Sequence, residues 1–327
     1  MSILLAVIYA LIFPGILFVI AFGLFAEYMD RKIYARIQRR VGPPFMQPLA
    51  DFIKLCAKED VVPKTAERLL FSAVPIFGLA AVLSAMLYIP VVKAGALHSF
   101  EGDIIVALYL LTIPALAIFL GGWHSGNLFG KVGGMRVASQ LFSYEIPFFL
   151  AVLAPALLAG TWSMSGIVGF MNGHWLLLPL VLLGFFIALI SLQGKLERLP
   201  FDIPEAETEI VAGPLADYSG RRLALFRLAK DAELVVGAAL LTGVFLGGPY
   251  CPLLDISTIQ PFYLAWVIGA IIFLLKTLVV IFLLILMKSA VARIRIDQMV
   301  SVAYKWLIPL ALLQMLAAVV VRFGGWL

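Results

Sequence analysis

Asp202, Glu205, Glu207 and Glu209 lie within eight residues of one another, in the run Pro200-Phe201-Asp202-Ile203-Pro204-Glu205-Ala206-Glu207-Thr208-Glu209, between two long apolar segments. Gly213-Pro214 stops the run, and Asp217-Tyr218-Ser219-Gly220-Arg221-Arg222 follows it. If Pro204 opens a short helix, Glu205 and Glu209 share a face at i and i+4, and Glu207 points away. Carboxylates in a first helical turn are favoured by the helix dipole, so one or two of them are explained by capping alone. Four are not. Like charges this close raise one another's pKa, and such a cluster can hold and pass protons near neutral pH.

Two further ionisable groups sit in apolar surroundings. Glu145 lies in Ser143-Tyr144-Glu145-Ile146-Pro147, where the proline removes a backbone donor and leaves carbonyls for polar neighbours. Lys276 falls near the middle of the apolar run Tyr263–Met287. A charge at that depth costs about 2.5–3.5 kcal/mol on insertion scales, so it is expected to face a bundle interior and mark an ion path. The bland alternatives are an interfacial carboxylate for Glu145 and, for Lys276, snorkelling over roughly 15 Å.

Redox centres are not expected in this chain. Cys56 and Cys251 are the only cysteines, they fall in loops expected on opposite sides, and they build no disulfide, zinc site or iron–sulfur cluster. His98, His124 and His174 stand singly without ligand spacing, and no glycine-rich phosphate loop is present.

The elements that must position these groups are membrane helices. Mean hydropathy is +1.06, with 63% hydrophobic and 13% charged residues, far from a soluble domain. The fold class is therefore an all-α integral membrane protein, a single polytopic domain over residues 1–327. Eight spans are expected, at about 3–25, 70–92, 104–121, 138–159, 175–192, 232–247, 262–287 and 303–322. The first apolar run lacks a basic n-region and a cleavage site and reads as a retained span. Lys and Arg crowd the loops at about 26–69, 122–137, 193–231 and 288–305, against Lys93 and Arg322 on the other side. That asymmetry puts these loops in the cytoplasm and both termini outside. The pI of about 9.2 follows from this face, which meets anionic lipid and soluble partners, and needs no nucleic acid.

In the first basic loop, Val41-Gly42-Pro43-Pro44 is a rigid break, and Gln47 to Lys58 form an amphipathic helix. Leu49, Phe52, Ile53 and Ala57 share one side of it; Asp51, Lys54 and Lys58 share the other. It is either an interfacial anchor or a lip that docks a partner.

The acidic run resembles the signature of the membrane subunit that anchors the connecting arm of respiratory complex I (the NADH dehydrogenase subunit 1 family), and of its homologues in energy-converting hydrogenases. Ala35-Arg36-Ile37-Gln38-Arg39-Arg40-Val41-Gly42-Pro43, Ala50-Asp51-Phe52-Ile53-Lys54-Leu55 and Ser143-Tyr144-Glu145-Ile146-Pro147 extend the likeness in the same order. Quinone-reducing members carry Glu-Thr-Asn-Arg before Pro-Phe-Asp, where this chain has Lys195-Leu196-Glu197-Arg198. Gly213-Pro214-Leu215-Ala216-Asp217-Tyr218, Lys276 and Ala292-Arg293-Ile294-Arg295-Ile296-Asp297 are similar to the branch of membrane-bound nickel–iron hydrogenases and formate hydrogenlyase.

The resemblance implies a non-catalytic, proton-coupling anchor. Iron–sulfur clusters and a nickel–iron centre would lie in partners: hydrogenase-like large and small subunits, a ferredoxin-like subunit, and antiporter-like membrane subunits. It implies relay roles for Glu145, Asp202, Glu205, Glu207, Glu209 and Asp217, with Glu233 a looser match, and docking roles for Arg36 and Arg39. The polar face of the amphipathic helix, Asp51 and Lys54, belongs to the same lip. Two rival expectations are a quinone- or phenazine-binding subunit and a stand-alone ion transporter; the lack of internal repeats argues against the second.

Overall fold

The computed structural model describes residues 9–92, 96, 98–174, 177–251 and 262–324. The expectations resting on residues 3–8, 175–176 and Lys93, and on the side chain of Glu207, fall outside the described residues. The described chain is all-helical: α1 Ile16–Ile37, α2 Gln47–Ala57, α3 Arg68–Ala85, α4 Asp103–His124, α5 Leu128–Ala159 and α6 Met164–Gly173. There follow α7 Leu178–Lys195, α8 Glu207–Ile210, α9 Gly220–Leu246, α10 Phe262–Ala290, α11 Ile296–Val302 and α12 Ile308–Phe323. Among the described residues, six stretches are long and apolar enough to cross a membrane: Tyr9–Ile37, Arg68–Tyr88, Asp103–His124, Leu128–Ala159, Leu264–Ala290 and Ile296–Phe323. Pro179–Lys195 is a shorter apolar helix, and α9 accounts for the remaining expected span.

The bundle is built around α9, which touches α1 to α7 and α10. Every residue from Ala232 to Phe245 is buried. A helix apolar on all sides belongs in the middle of a bundle, and its Gly and Ala positions let neighbours close in. Gly237 is one such point: a Cβ there would overlap Leu192 of α7.

Several helices start earlier or end later than hydropathy indicates. α5 begins at Leu128 rather than 138, so Lys131 and Arg136 are helical instead of lying in a loop. α9 begins at Gly220 rather than 232 and takes in Arg221, Arg222, Arg227 and Lys230. α1 runs on to Ile37 and carries Asp30, Arg31 and Lys32. Cys56 lies in α2, not in a loop. Hydropathy marks where the apolar run begins; the backbone ladder continues as long as neighbours or water satisfy the polar side chains. The amphipathic helix forms as expected, at Gln47–Ala57.

The four basic segments meet at one end of the bundle. Glu67 N–H donates to the His124 carbonyl, Asn127 donates to Asp217, and Ile294 N–H donates to the Pro200 carbonyl.

Candidate functional site

At the charged end, helix ends carry side chains that neutralise one another across the bundle. Asp51 on α2 accepts from Arg31 Nη1 at 2.7 Å, and Arg31 Nε donates to Glu27 at 2.6 Å. Arg198, just past α7, reaches Glu27 at 3.3 Å, Asp30 at 3.5 Å and Asp231 at 3.8 Å. Lys288 of α10 donates to Asp30 at 2.6 Å. Burial works against the Arg198 charge, and Asp30, Glu27 and Asp231 outweigh it. The hydrogen bond from Arg31 holds the Asp51 carboxyl below its ordinary range. Glu27, Asp30, Arg31, Arg198, Asp231 and Lys288 line a cleft of about 360 Å³.

In the same cleft, Lys230 of α9 bonds Glu197 at 2.8 Å and also Glu205. Lys195 of α7 donates to both oxygens of Glu145 at 2.9 Å. Glu197 takes φ of 51°, in the left-handed region, as the chain turns out of α7. Burial pushes its carboxyl up, against the pull of Lys230. Glu233, the second residue of the fully buried part of α9, stands within electrostatic reach of Lys195, Glu197, Lys230 and Glu145. Its Oε1 is buried without a hydrogen-bond partner among the described residues. A buried carboxylate oxygen in that state is costly to keep and is a candidate to exchange a proton.

The acidic loop is anchored from behind. Gly213 has φ of 53°, and a Cβ there would collide with the Pro204 carbonyl, so the loop folds back on itself. Pro214 wedges against Gly122 of α4 and Gly133 of α5. The expected pairing of Glu205 and Glu209 on one helix face does not form. The helix starts only at Glu207, after Ala206, leaving Glu205 in the preceding turn. Glu205 turns to Lys230, while Glu209 meets Arg136 at 2.6 Å. That contact lowers the pKa of the exposed Glu209 carboxyl.

The other expected residues divide clearly. Asp202 lies 3.8 Å from Arg293, and Asp217 accepts from Asn127 at 3.2 Å. Arg36, Arg39 and Lys54 are exposed. Asp51 faces inward and ties α2 to α1. Lys276 is not brought up to Glu145. It donates to the carbonyls of Leu246 at 2.6 Å, Gly248 at 3.0 Å and Tyr250. Leu246 is thirteen residues past Glu233 along α9, or about 20 Å of helix. Sequence reasoning did not assign relay or pairing roles to Glu27, Asp30, Lys195, Glu197, Arg198, Lys230 and Asp231. Their signal was their position at the ends of wholly apolar runs, which reads equally well as a positive-inside flank.

Residues 9–319 match the protein family described as NADH dehydrogenase. A subunit of the NADH-quinone oxidoreductase of Geobacillus kaustophilus (strain HTA426) is 35% identical over 96% of this chain and 92% of that protein. The corresponding protein of Brevibacillus brevis (strain 47 / JCM 6285 / NBRC 100599) is 34% identical over 93% of this chain and 90% of that protein. Among solved structures, a chain of the membrane-bound sulfane sulfur reductase, an archaeal respiratory membrane complex, superposes with a TM-score of 0.83 at 27% identity. That match covers 96% of this chain and 99% of the other. With its multi-pass helices, its family signature and these relatives, the chain belongs to the NADH dehydrogenase subunit 1 family, the membrane subunits of complex I-like respiratory complexes.

Proposed function

We propose that this chain is the arm-docking, proton-coupling membrane subunit of a hydrogenase-type respiratory complex. The observation that carries the reading is the partly buried group Glu145–Lys195, Glu233 and Lys230–Glu197/Glu205, which joins the acidic loop to the interior of α9. A charge change in a soluble arm seated on Arg36, Arg39 and Lys54 would perturb Glu205 and Glu197 first. Lys230 and Lys195 would then redistribute that field onto Glu233 and Glu145, favouring proton uptake or release there. Asp202, Glu209 and Asp217 form the outer carboxylates of the same loop, and Glu207 belongs to the same acidic run in the sequence. Lys276 serves in this reading as the cation that holds the end of α9, at the lateral limit of the path.

The hydrogenase branch is supported by the departures from the quinone-type sequence. Lys195 and Glu197 replace Glu and Asn of that pattern, and both are buried partners in the pairs above. Partners in this reading are hydrogenase-like large and small subunits with a nickel–iron centre, a ferredoxin-like iron–sulfur subunit and antiporter-like membrane subunits. The setting is a prokaryotic plasma membrane, with the charged end in the cytoplasm and both termini outside. In vesicles holding the intact complex, Glu145→Gln should abolish proton-coupled activity while artificial-dye electron transfer persists. Normal coupling in that variant would overturn the relay.

A second reading, a quinone-binding subunit, is favoured by the curated relatives named NADH-quinone oxidoreductase. Inhibition of the intact complex by quinone-site inhibitors would select it. Insensitivity would leave the hydrogenase-type assignment, or a sulfur-reducing one of the kind named for the structural relative.

A further inference from the structure

Away from the relay, a groove of about 440 Å³ opens along α5, lined by Lys131, Val132, Met135, Arg136 and Ser139, with Trp123 of α4 and Ile296 of α11 completing it. Trp123 closes one wall, with Lys131 Nζ 6.0 Å from its ring centre. Arg136 is matched by Glu209, whereas Lys131 is exposed and has no carboxylate within ion-pair distance among the described residues. The surplus charge at the mouth is therefore positive.

The groove also has a depth. α5 is 32 residues long, about 48 Å, which exceeds a hydrocarbon core of about 30 Å and leaves its first turns at headgroup level. Trp123 at the end of α4 is the aromatic type that settles at that interface. From the mouth, Val132, Met135, Ser139, Phe142 and Ile146 follow at spacings of three and four, on one exposed face. Arg136 to Ile146 covers about 15 Å, the depth of one leaflet.

We propose that this groove binds one anionic phospholipid: its phosphate meets Lys131 and Arg136 beside Trp123, and an acyl chain follows Met135, Phe142 and Ile146. A basic mouth continuous with an apolar track suits a lipid better than an acidic peptide, which would leave the track uncovered. A Lys at the surface contributes about 1 kcal/mol toward anionic lipid, close to a fivefold preference.

The test uses the purified full chain in vesicles containing brominated phosphatidylglycerol or brominated phosphatidylcholine. Quenching of Trp123 is isolated by difference from Trp123→Phe. Brominated phosphatidylglycerol should bind about fivefold more tightly than the choline lipid at Trp123, and Lys131→Gln should bring the ratio near one. Lys131→Glu should take it below one, and an acidic residue in the first turns of α5 does not oppose the helix dipole. Equal quenching by the two lipids, or a preference that survives Lys131→Glu, would overturn the proposal. Abolition by inorganic phosphate at matched ionic strength would assign the mouth to a free anion instead. Loss of quenching by both lipids in the intact complex would assign the groove to an acidic protein partner.

Discussion

The two ends of this bundle use charge in opposite ways. At the charged end, Arg31, Arg198, Lys230, Lys195 and Lys288 each meet carboxylates from another helix or loop. In the other half, the shortest contacts of three charged groups among the described residues are to backbone. Lys276 donates to carbonyls at the end of α9, and Arg322 of α12 donates to the Leu158 carbonyl at the end of α5 at 3.0 Å. Asp103 accepts from the Met164 N–H at the start of α6 at 2.5 Å. Cations at helix C-termini and an anion at an N-terminus match the helix dipole, and such pairs hold one arrangement. Cations among several carboxylates have alternative partners. The difference separates groups that anchor from groups that can switch.

The largest effect should come from the junction of three acids. Arg198→Met leaves Glu27, Asp30 and Asp231 without their shared cation, and Asp30 and Asp231 are largely desolvated. Removing one partner of a buried ion pair costs about 3–5 kcal/mol, which should lower the unfolding midpoint in detergent by more than any single variant of the opposite half. Adding Asp231→Asn should recover part of the loss, since it removes one of the stranded charges. Strictly additive losses would mean that the charged end is a set of independent pairs, and the contrast with the other half would collapse.

Lys276→Met probes the anchoring half. It strips a donor from the carbonyls of Leu246, Gly248 and Tyr250, and a buried carbonyl left unsatisfied costs about 1–3 kcal/mol. The stability loss should fall below that of Arg198→Met. Proton coupling in vesicles should survive in the fraction that stays folded, whereas Glu145→Gln, which strands the buried Lys195 ammonium and costs stability as well, should remove coupling even in the folded fraction. Coupling lost in a stably folded Lys276→Met would move this lysine from anchor to relay.

What could be read in the sequence follows the same division. The amphipathic α2 was legible because a Gly-Pro-Pro break and a two-faced pattern lie within sixteen residues of chain. The apolar middle of α9 was legible as well, and its first three turns were not. Arg221, Arg222, Arg227 and Lys230 look like loop residues until Asp60, Glu197 and Glu205 are folded against two of them. Glu145 was singled out by its apolar setting, but its partner Lys195 is 50 residues away, and Arg198 finds Glu27 at a separation of 171. Local pattern carries helix faces and breaks; pairing at such distances depends on how the bundle closes. The i, i+4 geometry of Glu205 and Glu209 failed for a local reason, the fold-back at Gly213 that keeps Pro204 and Glu205 in a turn.

The smallest expected effect is also the one that most directly separates the two halves by pH. The Arg31 bond lowers the Asp51 carboxyl below its usual 3.8, so folding favours the ionised form. The stabilisation is complete above the unfolded value, near pH 4, and is lost as pH falls through the lower, folded one. Asp51 is partly exposed and solvent-screened, so the loss is about 0.2–1 kcal/mol. It should appear as faster amide exchange in α2 below pH 4, at constant ionic strength and corrected for intrinsic exchange. The Arg322 bond to the Leu158 carbonyl has no group that titrates in this range, so amides at the end of α5 should keep their protection over the same interval. Parallel loss at both sites would show a global opening, and the anchoring half would then have no independent hold. Loss confined to α2, abolished in Asp51→Asn, would locate the acid-sensitive link in the pair that ties the docking helix to the bundle.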